Sequence, residues 1–148
     1  LRVADHANQV VQVVDRSLAA VPHVVGVNNH MGSRFTEDPD RMRLVLERLR
    51  QRNLFFLDSL TTPRSAGRAV AQSLGVPYVA RSVFLDDTVD PGAIAEQIQA
   101  LLAAAKRDGS AIAIGHPYPE TIAALRGFGD QAKAAGVEVV PLSQLVAR

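Results

Sequence analysis

The sequence predicts an α/β fold that is built from parallel βα units. Short apolar runs rich in β-branched residues alternate with segments in which apolar residues repeat at helical spacing. The runs are continuous rather than alternating, which is typical of parallel strands covered on both faces. Five strands are predicted, over residues 24–27, 54–57, 78–83, 111–114 and 137–140.

Helices are predicted between these strands because start and stop signals frame the helical spacing. Asp38-Pro39 and Asp90-Pro91 each combine an N-cap residue with a proline suited to the first turn. Gly75 and Gly109 follow the last periodic residues and predict C-terminal caps. The predicted helices cover residues 10–18, 39–49, 65–74, 91–108, 121–125 and 131–135.

The length of 148 residues predicts a single domain over residues 1–148. Five strands are too few to close a standard (β/α) barrel, which takes about eight. The sheet is therefore expected to be open, or to belong to a barrel whose strands are missing on the N-terminal side. A barrel of that kind has an unpaired edge, which self-association or the opening helix would cover.

Composition excludes several classes of protein. The hydrophobic content of 47% can fill a core, but no apolar run is long enough to span a membrane. Sixteen basic and fifteen acidic residues are scattered without a basic stripe, so a nucleic-acid partner is not expected. The sequence has no cysteine, which excludes disulfides and thiolate metal sites.

Polar residues follow the predicted strands where ligands bind in parallel sheets. His30 follows the first strand, Asp58 the second, Asp86 the third and His116 the fourth. Imidazoles and carboxylates at one edge are the set that a divalent-metal hydrolase uses. Each residue also has a purely structural alternative, since His and Asp often occupy turns and helix caps. We predict one polar site at this edge.

Four ordered motifs, GVNNHMGS, LFFLDSLTTPRS, VFLDD and AIAIGHPYPETI, resemble the divergent polysaccharide deacetylase family. The resemblance runs from about residue 21 to the C-terminus. It implies a distorted (β/α) barrel, a divalent metal, taken to be zinc, and a carbohydrate substrate. It further implies a periplasmic or secreted protein.

The resemblance also implies roles for individual residues. His30 and His116 are expected to bind the metal, and Asp58 and His116 are expected to be catalytic, with His116 as the general acid. The residues expected to contact substrate are Asn29, Ser59, Arg64, Asp86 and Tyr118.

This sequence departs from the family pattern in two places. Typical members carry a second histidine a few residues after the first, whereas residues 31–35 contain none. They also carry an aspartate pair on their first strand, which is not found here, so the chain is expected to be the C-terminal part of the family fold.

Three functions are compatible with these observations. The first is metal-dependent N-deacetylation of an acetamido sugar or a related envelope polysaccharide. The second is a carbohydrate-binding or scaffold protein that keeps the groove without turnover. The third is a hydrolase that uses Ser59 and His116 with an aspartate, although no G-x-S-x-G elbow surrounds Ser59.

Overall fold

The structure is a computed structural model that describes residues 1–146. Parallel strands alternate with helices, so the predicted α/β class is confirmed. The strands within the described residues are β1 (Gly26–Asn28), β2 (Phe55–Asp58), β3 (Tyr78–Ala80), β4 (Val83–Phe84) and β5 (Ala113–Ile114). The helices in the same range are α1 (Ala7–Ala19), α2 (Ser33–Thr36), α3 (Pro39–Gln51), α4 (Gly67–Leu74), α5 (Pro91–Asp108), α6 (Pro119–Leu125), α7 (Phe128–Ala134) and α8 (Leu142–Val146).

The chain divides into two compact units, each with its own parallel sheet. The first unit contains residues 1–80 together with helix α8, and its sheet has the order β1-β2-β3. The second unit contains residues 81–141, and its sheet pairs β4 with β5. Neither sheet is closed within residues 1–146, so a barrel is not confirmed. A single domain over 1–148 stays a prediction.

Helices α1 and α3 form much of the core of the first unit. Helix α3 begins as predicted, since the Asp38 side chain accepts hydrogen bonds from the next backbone amides at Asp40 and Arg41. Its apolar stripe is buried at Met42, Val45, Leu46 and Leu49. Ion pairs to Asp15 of α1 come from Arg48 of α3 at 2.7 Å and from Arg52, which directly follows α3, at 3.0 Å. These contacts join α1 to α3.

Helix α5 provides the core of the second unit. Asp90 caps it by accepting from the backbone amide of Ala93, and Gly109 ends it in the left-handed region at a φ of 81°. Both caps confirm the sequence prediction. The buried residues Ile94 and Ile98 of α5 pack with Val83 and with the other apolar side chains of this unit.

Two strand predictions are wrong. The predicted strand over 78–83 is two strands, because β3 pairs with β2 whereas β4 pairs with β5, with a break at Arg81 and Ser82. Residues 137–140 form no strand, since no described strand pairs with them and the Val139 side chain is 60% exposed. Apolar composition alone could not reveal which runs find a partner. Helices α2 and α8 were not predicted.

Strand β1 lies at an edge of the first sheet. Within residues 1–146 it pairs only with β2, in the register Gly26 to Phe55 and Asn28 to Leu57. Val25, just before β1, is 62% exposed.

The described residues include no helix that is both long enough and apolar enough to cross a membrane.

Candidate functional site

Asp86 and His116 lie together in the second unit. Phe84, the last residue of β4, pairs in parallel register with Ile114, the last residue of β5. Asp86 and His116 each follow two positions after those paired residues, so the register delivers both side chains to the carboxyl end of this sheet. Asp86 and His116 thus follow strands at one edge of this sheet, as the sequence predicts.

The two side chains form a carboxylate–imidazole pair. Asp86 Oδ1 lies 3.0 Å from His116 Nδ1, and Asp86 Oδ2 accepts from the His116 backbone amide at 2.6 Å and from Thr121 Oγ1 at 2.7 Å. Burial raises the pKa of Asp86, but these donors outweigh it and hold the pKa below its ordinary value. An ionised Asp86 requires the hydrogen on His116 Nδ1, which makes Nε2 the proton acceptor of the neutral ring.

Two neighbours shape this pair. A Cβ at Gly115 would lie 3.1 Å from Asp86 Oδ2, so the absence of a side chain lets the loop close over the carboxylate. Thr121 is buried in α6, which starts with Pro119 at its first turn. The sequence analysis did not identify Thr121 as a neighbour of Asp86. The signal in the sequence was its hydroxyl group, which lies in the first turn of the helix that follows His116.

Aromatic rings flank the imidazole of His116. The Phe84 ring stands edge-on at a centroid distance of 5.5 Å, and the Tyr118 ring lies tilted at 5.2 Å. The Arg81 guanidinium lies 5.3 Å from the centre of the Phe84 ring. Tyr118 is 39% exposed, so part of this aromatic residue is accessible to solvent beside His116.

Asp58 is fully buried at the end of β2 in the first unit. Its Oδ2 accepts from Ser65 Oγ at 2.6 Å and from the Tyr78 hydroxyl at 3.1 Å, and its Oδ1 accepts from the Leu60 amide at 2.9 Å. Burial, followed by the charge of Asp58, raises the pKa of the Tyr78 phenol well above its ordinary value. Both carboxylate oxygens of Asp58 are therefore engaged within the protein.

Asn29 and Ser59 join the ends of β1 and β2. The Ser59 amide donates to Asn29 Oδ1 at 2.8 Å, and the Asn28 amide group donates to Ser59 Oγ at 3.3 Å. His30 directly follows Asn29 and is exposed, and the next residue, Met31, adopts a left-handed conformation with a φ of 58°. His30 therefore lies just after the first strand, where the sequence predicts it.

Arg64 forms an ion pair with Glu37, in which a single guanidinium nitrogen, Nη2, lies 3.0 Å from each carboxylate oxygen. Hydrogen bonds, first from Thr62 and then from Arg64, lower the pKa of Glu37. The Arg64 side chain is 77% exposed, so its guanidinium stays accessible to solvent.

The predicted site residues fall into two sets. Asn29, His30, Asp58, Ser59 and Arg64 lie in the first unit, and within it Asn29 contacts Ser59. Asp86, His116 and Tyr118 lie in the second unit, where His116 contacts both of the others. That both sets form one site stays a prediction. Sequence reasoning also missed Ser65 and Tyr78, whose link to Asp58 depends on chain folding.

The described residues do not form a complete zinc site. Residues 1–146 contain no group of three or more His, Asp or Glu side chains arranged to hold a metal ion. Both oxygens of Asp58 and both oxygens of Asp86 already accept hydrogen bonds, and His116 Nδ1 faces Asp86. Catalytic zinc commonly takes three protein ligands, so these residues do not fit the metal as a set.

Two bacterial proteins are similar to this chain in sequence. The chain is 38% identical to the uncharacterized protein YibQ of Escherichia coli K12 over 126 residues, which are 85% of this chain and 40% of that protein. It is 40% identical to an uncharacterized protein of Haemophilus influenzae over 126 residues, 85% of this chain and 45% of that protein. The chain thus spans less than half the length of these relatives.

A solved structure has the same fold. The crystal structure of the uncharacterized protein ATU2773 from Agrobacterium tumefaciens C58 matches 96% of this chain and 58% of that chain, with a TM-score of 0.93 and 29% identity. The family model for divergent polysaccharide deacetylases matches residues 1–146. The sequence motifs, the fold and this match agree, and the chain belongs to the divergent polysaccharide deacetylase family.

Proposed function

We propose that this chain carries the proton-transfer residue of a hydrolase that removes N-acetyl groups from an acetamido sugar or a related envelope polysaccharide. The observation that supports it best is the Asp86–His116 pair at the carboxyl end of β4 and β5. Membership of the family supports a carbohydrate-related function. Tyr118 would stack against a sugar ring, and Asn29, Ser59 and Arg64 would contact the substrate.

In this proposal the chemistry is an amide hydrolysis. His116 Nε2 takes a proton from the attacking water as the water oxygen bonds to the acetamide carbonyl carbon. His116 then returns that proton to the amine nitrogen as the carbon–nitrogen bond breaks, which yields acetate and a free amino sugar. Asp86 holds the ring in the required tautomer and stabilises the imidazolium. Both carboxylate oxygens of Asp58 accept hydrogen bonds within the first unit, so this proposal assigns no proton transfer to Asp58.

The proposal also covers the divalent metal, the cellular location and the oligomeric state of the protein. His30 is proposed as a zinc ligand, but the described residues do not provide a complete zinc site, so His116 and Asp86 carry the proposed hydrolysis. A periplasmic or secreted location accords with an envelope substrate. Self-association through the outer edge of β1 would pair backbone groups that β2 does not reach.

Carbohydrate binding without turnover is the second candidate function. The observation that favours it is that the described residues bring no three metal ligands together. The two candidates differ in one measurable respect, because only a hydrolase releases acetate from a bound acetamido sugar.

Acetate release from N-acetylglucosamine oligomers, measured with added zinc, tests the proposal. We expect turnover by the wild type and a loss of about 10²–10⁴-fold in His116→Asn, because proton transfer by a positioned side chain contributes about that factor. His23→Asn is the matched control, since His23 is exposed with a φ of 57° that asparagine tolerates, and it should keep full activity. Saturable oligomer binding without acetate release would replace the hydrolase by the binding function.

Zinc binding gives a separate prediction about His30. Calorimetric titration is expected to show weak binding to the wild type and none to His30→Ala, because His30 would be a ligand in an incomplete set. His30 is exposed, so its replacement should leave folding intact by circular dichroism. His23→Asn should bind zinc as the wild type does. Equal affinity of the wild type and His30→Ala would remove His30 from the proposed metal site.

A further inference from the structure

Hydrogen bonds join the loop after β1 to the loop after β2 at the carboxyl end of the first sheet. The Ser59 amide donates to Asn29 Oδ1 at 2.8 Å, and farther along both loops the Ser33 hydroxyl donates to the Thr61 carbonyl at 3.0 Å. Because β1 and β2 pair in parallel register, both loops leave the sheet at the same edge. The two loops therefore run side by side, and Asn29 and Ser59 occupy the end next to the strands.

The same two loops carry charged side chains farther from the strands. Glu37 accepts from Thr62 Oγ1 at 2.5 Å and from Arg64 Nη2 at 3.0 Å. Hydrogen bonds from Thr62 and Arg64 are the main causes that lower the pKa of Glu37, and the positive charge of Arg34 on α2 contributes as well. Two guanidinium groups thus lie near one carboxylate, and these three charged side chains have an excess of one positive charge.

Both guanidinium groups are accessible to a ligand. The Arg64 side chain is 77% exposed, and Arg34 is also exposed. Glu37 engages only Nη2 of Arg64, and in the part of the chain that the structure describes Nε and Nη1 have no hydrogen-bond partner. Asp38, the next acidic residue, instead caps α3, where its Oδ1 accepts from two backbone amides. Arg64 therefore keeps donor groups for an anion, with a second positive charge nearby.

We propose that these loops bind an acetamido sugar that carries a carboxylate, so that the substrate of the proposed hydrolase is an acidic polysaccharide. The sugar would lie along the two loops, and its carboxylate would accept charge-assisted hydrogen bonds from Arg64 and be attracted by Arg34. Glu37 competes with this carboxylate for Arg64 and limits its affinity. The inference rests on the sugar substrate of the proposed function, but it does not depend on turnover.

N-acetylmuramic acid and N-acetylglucosamine are matched probes, because they differ by a lactyl ether that carries one carboxylate. Each is titrated into the 148-residue chain, and binding is followed by ¹⁵N–¹H correlation spectra. We expect the acidic sugar to bind about fivefold more tightly at low ionic strength, a factor within the range of exposed ion pairs, and to shift the Arg64 Nε–H signal. Added salt should reduce this preference. Sodium lactate, which carries the carboxylate without the sugar, should bind more weakly than the acidic sugar.

Three variants locate the preference. Glu37→Gln is the most informative, because its amide oxygen can still accept from Thr62 Oγ1 while the competing charge is lost. The ratio of the affinities for the acidic and the neutral sugar should rise by about two- to fivefold in this variant. A purely structural ion pair would give no such gain. Arg64→Gln and Arg34→Gln should each lower the ratio toward one.

Arg50→Gln is the matched control, because Arg50 is exposed near the other end of α3, just before the amino end of β2. It removes the same charge and should keep the wild-type ratio, and the spectra of all variants report whether they remain folded. Equal affinity of the wild type for the two sugars, no saturable binding of the acidic sugar, lactate binding as tight as that of the acidic sugar, or an unchanged ratio in Glu37→Gln would overturn the inference. Acetate release without this preference would contradict the inference alone, whereas the preference without acetate release would contradict the hydrolase alone.

Discussion

Asp58→Ala is expected to lower the free energy of unfolding by about 3–5 kcal/mol. The substitution removes an acceptor that is fully buried and leaves the Ser65 hydroxyl, the Tyr78 hydroxyl and the Leu60 amide without their shared partner. It also opens a void next to Gly67, where a Cβ would stand 2.7 Å from the carboxylate. Urea unfolding followed by circular dichroism measures the loss.

Two further variants make this measurement decisive. Asp58→Asn keeps the volume and one acceptor oxygen, and the hydroxyls of Ser65 and Tyr78 can reorient to accept from the new amide, so a smaller loss is expected. Asp87→Ala is the matched control, because Asp87 is exposed, and its effect should stay within about 0.5 kcal/mol. If Asp58→Ala unfolds at the same urea concentration as Asp87→Ala, the hydrogen bonds of Asp58 do not stabilise the first unit.

Asp86→Asn is expected to reduce the proposed deacetylation by about 10²–10⁴-fold and to change the tautomer of His116. An asparagine that keeps accepting from the His116 backbone and Thr121 through its oxygen presents its NH₂ group to His116 Nδ1. That contact favours a ring with the hydrogen on Nε2, which can no longer take a proton there. Imidazole ¹⁵N chemical shifts report the tautomer, and acetate release reports the turnover.

The tautomer measurement stands even if the chain alone shows no turnover. Thr121→Val is the control, since it removes one donor to Asp86 while the 3.0 Å contact with His116 Nδ1 remains. We expect it to keep the wild-type tautomer and to lose at most about tenfold in rate. A ring that carries its hydrogen on Nδ1 in Asp86→Asn would show that Asp86 does not set the state of His116.

Local signals in the sequence determined most of the helices and the class of fold. Asp38-Pro39 and Asp90-Pro91 start helices, and Gly75 and Gly109 end them, because caps and left-handed ends depend on residues close by in the chain. The apolar runs that became β1, β2 and β5 were also found, and the residues that follow them include His30 and His116. The positions of candidate site residues after strands thus follow from the sequence alone.

Only the tertiary structure decided which strands pair and which polar groups meet. Residues 137–140 have the composition of a strand but no pairing neighbour in the described chain, and pairing is a long-range property that composition does not encode. The partners of Asp58 and Asp86 are likewise decided by folding. Tyr78 reaches Asp58 because β3 lies beside β2, and Thr121 reaches Asp86 because β5 pairs with β4 and positions the start of α6. The sequence alone determined where the carboxylates lie along the chain, and the pairing of the strands decided which donors surround them.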